Sequence, residues 1–299
     1  VLTPKAGLLS DVLDEHLEEL AFLWELRRDG ILSPELTRSD LGRLEARIEA
    51  HVEGLLLARG ELLELVEPGL GSDDPPVAFA SAFPLLRSGG EGARAVMGAF
   101  LVSTGGAREG LGEALAHGDL RDVREELTAC LSSVDPGLAV AAATALALQR
   151  APGLPDRVDE RFLADVDPAV RAAAWRLAPF LREAPRAEAV KTGLGDADSG
   201  VAREAILAAA WFSLPQALEA CRARARLEED TSGEWLRLLA ILGDESDLSF
   251  LLSAAPGPGA AGPRALGALG HPRGVEVLLG MMGDDPARAS AAGAAFLKV

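Results

Sequence analysis

Three short segments of this sequence open on one pattern at nearly fixed spacing, and nothing else in it limits the fold as tightly. Asp135-Pro136-Gly137-Leu138-Ala139-Val140, Asp167-Pro168-Ala169-Val170-Arg171 and Asp198-Ser199-Gly200-Val201 each lead into a run of Ala and Leu, 32 and then 31 residues apart. A repeat of that length is a supersecondary unit that cannot bury its apolar face alone, so copies must stack. Asp ahead of Pro marks a helix start: the carboxylate accepts from an otherwise orphan N–H, and Pro needs no donor in the first turn. Behind Asp167, the residues Val170, Ala173, Ala174, Leu177 and Phe180 or Leu181 recur at three and four residues, the stripe of one buried helix face. Breaks at Ala151-Pro152-Gly153, Glu183-Ala184-Pro185 and Ser213-Leu214-Pro215 then turn the chain into a second, antiparallel helix. The unit is helix, turn, helix, turn, clearest over 134–227, and the predicted fold class is all-α, an α-solenoid of helical repeats.

The first 70 residues read differently. Leu9, Leu13, Leu17, Leu20 and Trp24 mark one face of a long helix over 7–29, with Gly30 placed to end it. A second long helix starts at Thr37, with Asp40 as its capping-box partner, and runs through Leu41, Leu44, Ile48, Val52, Leu55 and Leu62 to about Val66. Residues 1–70 are therefore expected to form an acidic helical hairpin, and 71–299 the repeat array, with the Pro/Gly/Asp-rich stretch 68–76 as the joint. Between Val77 and Leu131 the pattern predicts helices over 77–87, 91–103, 107–116 and 120–131, divergent repeats separated by Gly89-Gly90, Gly105-Gly106 and Gly118. Neither glycine pair follows a strand or precedes Lys-Ser/Thr, so neither is a phosphate loop. Beyond Trp211 looser helices are expected over 217–227, 232–242, 247–254, 263–269, 272–281 and 286–297. The last is Ala-rich and poorly polar, which predicts cover by further repeats, by a partner, or by self-association through this terminal helix.

Charge narrows the partner. Asp and Glu number 46 against 29 Lys and Arg, a net of −17, and that field repels phosphate backbones and anionic membranes. Duplex nucleic acid and membranes are not expected partners. Residues 1–74 hold 17 acidic and 7 basic side chains, net −10, which would steer a basic or mixed-charge protein toward them. No run of about 18 apolar residues appears, residues 1–30 are too charged for a secretory signal, and Cys130 and Cys221 read as small buried hydrophobes in a reducing compartment. The expected location is the cytoplasm. His16, His51, His117 and His271 are expected to pack or cap, and Trp175, Trp211 and Trp235 to lie in the core. No Ser-His-Asp, zinc or nucleotide motif is present, so no cofactor is expected. Arg222, Arg224 and Arg226 spread over about 200° of a helix and make no single basic stripe.

The start Asp167-Pro168-x-Val170-Arg171 resembles that of short HEAT repeats. Further upstream, Glu15-His16-Leu17-Glu18-Glu19-Leu20-Ala21-Phe22-Leu23-Trp24, Arg27, Asp40-Leu41-Gly42-Arg43-Leu44-Glu45 and Glu49-Ala50-His51-Val52-Glu53-Gly54-Leu55 resemble the N-terminal signature of an uncharacterised bacterial HEAT-repeat family often encoded near type VI secretion genes. The resemblance implies an α-solenoid with a right-handed superhelix which, in most members, has no activity of its own. It assigns Asp167 and Arg171 to a ladder between repeats, expected to be incomplete because Ala141 follows Val140 and the third Arg is displaced to Arg203. HEAT-type iron hydroxylases use His-Glu dipeptides, and this sequence has none. The resulting expectation is a non-catalytic protein-binding scaffold or adaptor linked to type VI secretion. The alternative is a HEAT-like enzyme acting on nucleic acid or a small molecule held in the concave face. The second helices of the repeats are expected to line that face with Arg157, Glu160, Arg161, Arg186, Lys191, Arg222 and Arg226, a mixed-charge recognition strip.

Overall fold

The computed structural model describes residues 6–32, 36–151, 154–227, 233–257, 259–283 and 285–299, with the backbone alone for 6–10 and 32. Among them there are 18 α-helices, short 3₁₀ turns and no strand. Two compact units divide the chain, Val1–Asp156 and Arg157–Val299. The sequence reading puts its boundary at residue 70, well inside the first of these units.

In the first unit, α1 (Ala6–Leu32) and α2 (Arg38–Leu56) form an antiparallel hairpin, followed by the short α3 (Leu62–Val66). Thr37 caps α2 through the expected box: Asp40 N–H donates to Thr37 Oγ1 at 3.2 Å, and Thr37 N–H to Asp40 Oδ2 at 3.0 Å. Both long helices end elsewhere than expected. Gly30 does not stop α1; it lies buried inside it, where a Cβ would come within 2.7 Å of Leu36 Cδ1 and 3.2 Å of Leu41 Cδ2. Its use is close approach between chain segments rather than helix termination. α2 stops at Leu56, because the chain turns through Arg59 at φ +49°, a left-handed conformation that sequence alone does not announce for Arg.

The hairpin packs on α4 (Pro75–Ser88), whose residues Ala78 to Leu86 are all buried. Pro84 lies within that run, and Ser81 satisfies its hydroxyl by donating to Val77 O at 2.9 Å. The rest of the unit is α5 (Gly90–Val102), α6 (Gly105–His117), α7 (Arg124–Ala129) and α8 (Pro136–Leu148). α4 packs on α6 and α6 on α8, each first helix against the next, with α5 and α7 alongside. α4 and α6 meet closely because Gly110 has no side chain; a Cβ there would lie 2.2 Å from Pro75 O. One continuous core joins Leu20, Leu23 and Trp24 of α1 to Phe79, Phe100, Leu111 and Leu127. Trp24 stacks on Phe79 with ring centroids 3.6 Å apart. The joint at 68–76 is thus tied to this core by Leu70, while Pro68, Gly71, Asp73 and Asp74 stay exposed.

The second unit holds α9 (Glu160–Leu163), α10 (Pro168–Leu177), α11 (Ala187–Leu194), α12 (Ser199–Trp211), α13 (Gln216–Ala225), α14 (Glu234–Leu242), α15 (Leu248–Ala254), α16 (Ala261–Leu269), α17 (Val275–Met281) and α18 (Pro286–Phe296). α10 packs on α12, α14 on α16 and α16 on α18, with the intervening short helices against their neighbours. The stripe of α10 is buried at Ala174 and Leu177 and continues at Leu181, with Val170 and Ala173 half-buried. Residues 152–153 and 232, in the expected break and helix start, lie outside the described residues.

The spacing of helix starts also holds in the segment where divergent repeats are expected. Helix starts at Pro75, Gly105, Pro136, Pro168 and Ser199 are 30, 31, 32 and 31 residues apart; the next, at Glu234, Ala261 and Pro286, are 35, 27 and 25 apart. A local turn recurs with them. The N–H of the cap residue donates to the side chain two positions earlier: Asp74 to Ser72 (3.2 Å), Asp135 to Ser133 (3.1 Å), Asp167 to Asp165 (2.9 Å) and Asp198 to Asp196 (2.9 Å). This Asx/Ser turn sets the entry into these four helices.

Candidate interaction surface

The residues that link successive first helices come before any that could bind a partner. Arg171 on α10 forks onto Asp196 with two contacts of 2.9 Å and donates to Asp165 O at 2.8 Å. Its guanidinium holds the Asp196 carboxyl below the ordinary carboxylate range. Arg108 on α6 occupies the same place relative to its helix start and forks onto Asp135 at 2.7 and 3.1 Å. The third Arg, displaced by one residue to Arg203, still makes a rung: it reaches Glu234 at 2.6 Å and the buried Glu204 at 2.6 Å. The gap expected there is filled by a Glu that belongs to no Asp-Pro motif.

The expected recognition strip falls into two groups. Around α9, Arg157 donates to Glu183 Oε2 and Ala184 O, both at 2.7 Å; Arg161 pairs with Asp159 at 2.9 Å; Arg186 meets Glu160 at 3.2 Å. On α13, Arg222 forks onto Asp247 at 2.9 Å on both arms and reaches Asp244 at 3.0 Å, while Arg226 lies 3.9 Å from Asp247 and over the Phe250 ring. The Asp247 side chain is 1% exposed, and Arg222 holds its pKa down. Arg222 is therefore an anchor for the turn before α15. Replacing it by Glu, which from the sequence looks like a clean surface test, would set three carboxylates together and leave a buried charge unpaired. Lys191 is exposed and makes no ion pair among the described residues. Most of the strip's positive charge is already engaged inside the unit.

Exposed aromatics are what sequence reasoning missed. Trp175 and Trp235 are buried as expected, but Trp211 is 69% exposed and Phe180 51%. Each follows its helix cap by thirteen residues, as does the exposed Leu148 after Asp135. The buried stripe of α12 passes through Ala205, Ala208 and Ala209, and Trp211 at the helix end lies beside it. That shared position was the available signal.

The remaining polar groups stitch helices. Trp24 Nε1 donates to Glu113 at 2.6 Å, and Arg28 meets Glu113 at 3.1 Å and also Glu109, tying α1 to α6. Burial pushes the Glu113 carboxyl up, opposed by the Trp24 bond. His117 stands edge-on to Trp24. His16 and His51 face each other across the hairpin with their Nδ1 atoms 3.0 Å apart, and loss of water, then His16, lowers the pKa of His51. His271 caps a turn, accepting from Arg273 N–H at 3.1 Å. Both cysteines are free and buried; burial raises the Cys130 thiol and pushes Cys221 up to about 12. Among the described residues no group of three or more His, Cys, Asp or Glu is arranged to hold a metal ion, and no helix is long and apolar enough to cross a membrane.

No family model matches the chain, and no curated protein is similar to it in sequence.

Proposed function

We propose that this protein is a non-catalytic scaffold of stacked HEAT-type helix pairs that binds another protein, with a component of a type VI secretion apparatus as the partner class suggested by its N-terminal resemblance. The observation that carries the reading is the periodic one: five helix starts about every 31 residues from Pro75 to Ser199, four of them with the same cap turn, and Arg-carboxylate rungs between first helices. Units stacked this way within each compact unit present side chains at a regular interval, which suits a segmented partner. In this reading Arg186 and Lys191, exposed near the start and end of α11, and the neighbouring Glu160 are the recognition-strip members open to a partner. Arg157, Arg161, Arg222 and Arg226 serve the array itself.

The test is affinity capture by the full chain from its host's lysate at low and moderate salt, followed by mass spectrometry. The expected result is a protein retained in stoichiometric amount and lost when Arg186 and Lys191 are replaced by Glu. Retention of nucleic acid or a small molecule without a stoichiometric protein would overturn the scaffold reading.

A further inference from the structure

The outward face of α1 combines exposed apolar side chains with a row of carboxylates. Phe22 is 56% exposed and Leu26, one turn on, is 40% exposed. On a helix the neighbours of residue 22 lie three and four positions away: Glu18, Glu19, Glu25 and Leu26, with Glu15 and Asp29 a further turn out. Asp11 and Asp14 continue the row, and both are exposed. Glu19 leans toward Arg47 at 3.5 Å. Asp11, Asp14, Glu15, Glu18, Glu25 and Asp29 have no cationic partner among the described residues. The two arginines of α1 are turned away, Arg27 to Glu45 and Arg28 to Glu109 and Glu113. An exposed aromatic and a Leu are thus framed on both sides by carboxylates, in contrast to the second unit, where Arg157, Arg161, Arg222 and Arg226 of the strip are already engaged.

We infer that this face is the docking site for a cationic amphipathic helix of a partner protein, its apolar stripe seated on Phe22 and Leu26 and its Lys or Arg residues against the flanking carboxylates. The inference rests on the protein-binding reading above and names the partner's chemistry. The occupant is helical because the apolar pair is spaced at four residues with charges on either side, the arrangement of a helix seam with its flanking ionic positions. From Asp11 to Asp29 the track runs about 27 Å at about 1.5 Å per residue, the length of a helix of about five turns. Unpaired charge of one sign speeds encounter and selects a partner of the other sign, while the partly exposed ring supplies the anchor.

The experiment uses the full chain and a labelled synthetic helix of about five turns, with Leu along one stripe and Lys beside it, against a version with Glu for every Lys. Binding is followed by fluorescence anisotropy at low salt. The Lys peptide is expected to bind and the Glu peptide not. Phe22→Ala, and separately Glu15/Glu18/Glu25→Gln, are each expected to weaken binding about tenfold, with unchanged circular dichroism. Glu61/Glu64/Glu67→Gln removes the same charge from exposed positions outside α1 and is expected to change affinity less than about twofold. Equal weakening by both triple variants would reduce the effect to bulk charge and overturn the inference, as would absence of binding. A wild-type chain that dimerises in sedimentation while Phe22→Ala stays monomeric would put a second copy on the face and overturn it too. If the lysate partner is still retained by Phe22→Ala, this inference fails and the scaffold reading stands. If the Lys peptide binds this face but no protein is captured from lysate, the scaffold reading fails instead.

Discussion

Among single residues, His51 gives the hairpin a pH dependence whose sign follows from its surroundings. Its ring faces His16, with Glu19, Arg47 and Glu15 nearby, and its pKa lies below the ordinary 6.5 because lost water and His16 outweigh the two glutamates. As pH falls below about 6.5 the unfolded chain takes up the proton before the folded one, so stability is complete above that pH and declines beneath it. His51→Gln is expected to shrink the drop in melting temperature between about pH 7.5 and pH 5 relative to wild type. Equal drops for both chains would remove His51 from the account. Residue roles were unevenly legible. Both His16 and His51 were readable as packing residues from their place beside apolar stripes, yet their meeting was not, because the 35 residues between them hide the register of the hairpin. Trp175 and Trp211 look alike in sequence and part company in space. Trp175 is buried against Gly193, where even a Cβ would come within 2.3 Å of its ring, whereas Trp211 ends its helix and projects.

At the scale of elements, the rungs between first helices carry a measurable share of stability. Both partners of the Arg171–Asp196 rung are mostly shielded, with side chains 18% and 10% exposed. Arg171→Ala removes a forked, charge-assisted pair and leaves Asp196 without its cation. The expected cost is about 2 kcal/mol in urea unfolding at neutral pH. Because Arg171 lowers the Asp196 pKa below 3.8, that contribution is full above pH 3.8 and lost as pH falls through the lowered value. The wild type and Arg171→Ala chains should therefore converge in acid; a gap that persists would assign the cost to packing of the Arg stem. Helix starts were the most legible elements, since Asp135, Asp167 and Asp198 carry their own cap chemistry. Helix ends were the least legible. Gly30 looks like a stop but serves a tight contact, and the break after α2 depends on a left-handed Arg59 that local propensity does not encode. The rung through Glu234 was also hidden, because its acid lies 31 residues downstream of Arg203 on a helix without the motif.

For the molecule as a whole, the boundary read from composition at residue 70 and the division between compact units after Asp156 differ for a physical reason. Pro68-Gly69 through Pro75-Pro76 has the composition of a linker, but Leu70 is buried and belongs to the same core as the hairpin and α4. Composition reports how a stretch can bend; it does not report what packs on either side of it. The core that begins at Leu20 closes at Ala151, with Leu154 against it, so a chain ending at Asp156 keeps every residue of that core. A chain of residues 71–156 loses Leu20, Leu23, Trp24, Leu44, Ile48, Val52 and Leu55, and uncovers the face of α4 on which Trp24 stacks. Residues 1–156 are therefore expected to melt cooperatively by circular dichroism, and residues 71–156 to show a broad, low transition or none, because several large side chains at about 1.5 to 3 kcal/mol each are missing from a small domain. A cooperative melt of 71–156 at the temperature of 1–156 would show that α4 to α8 fold without the hairpin. α1 would then be a separable arm, and its acidic outer face a tethered module rather than one side of a packed unit.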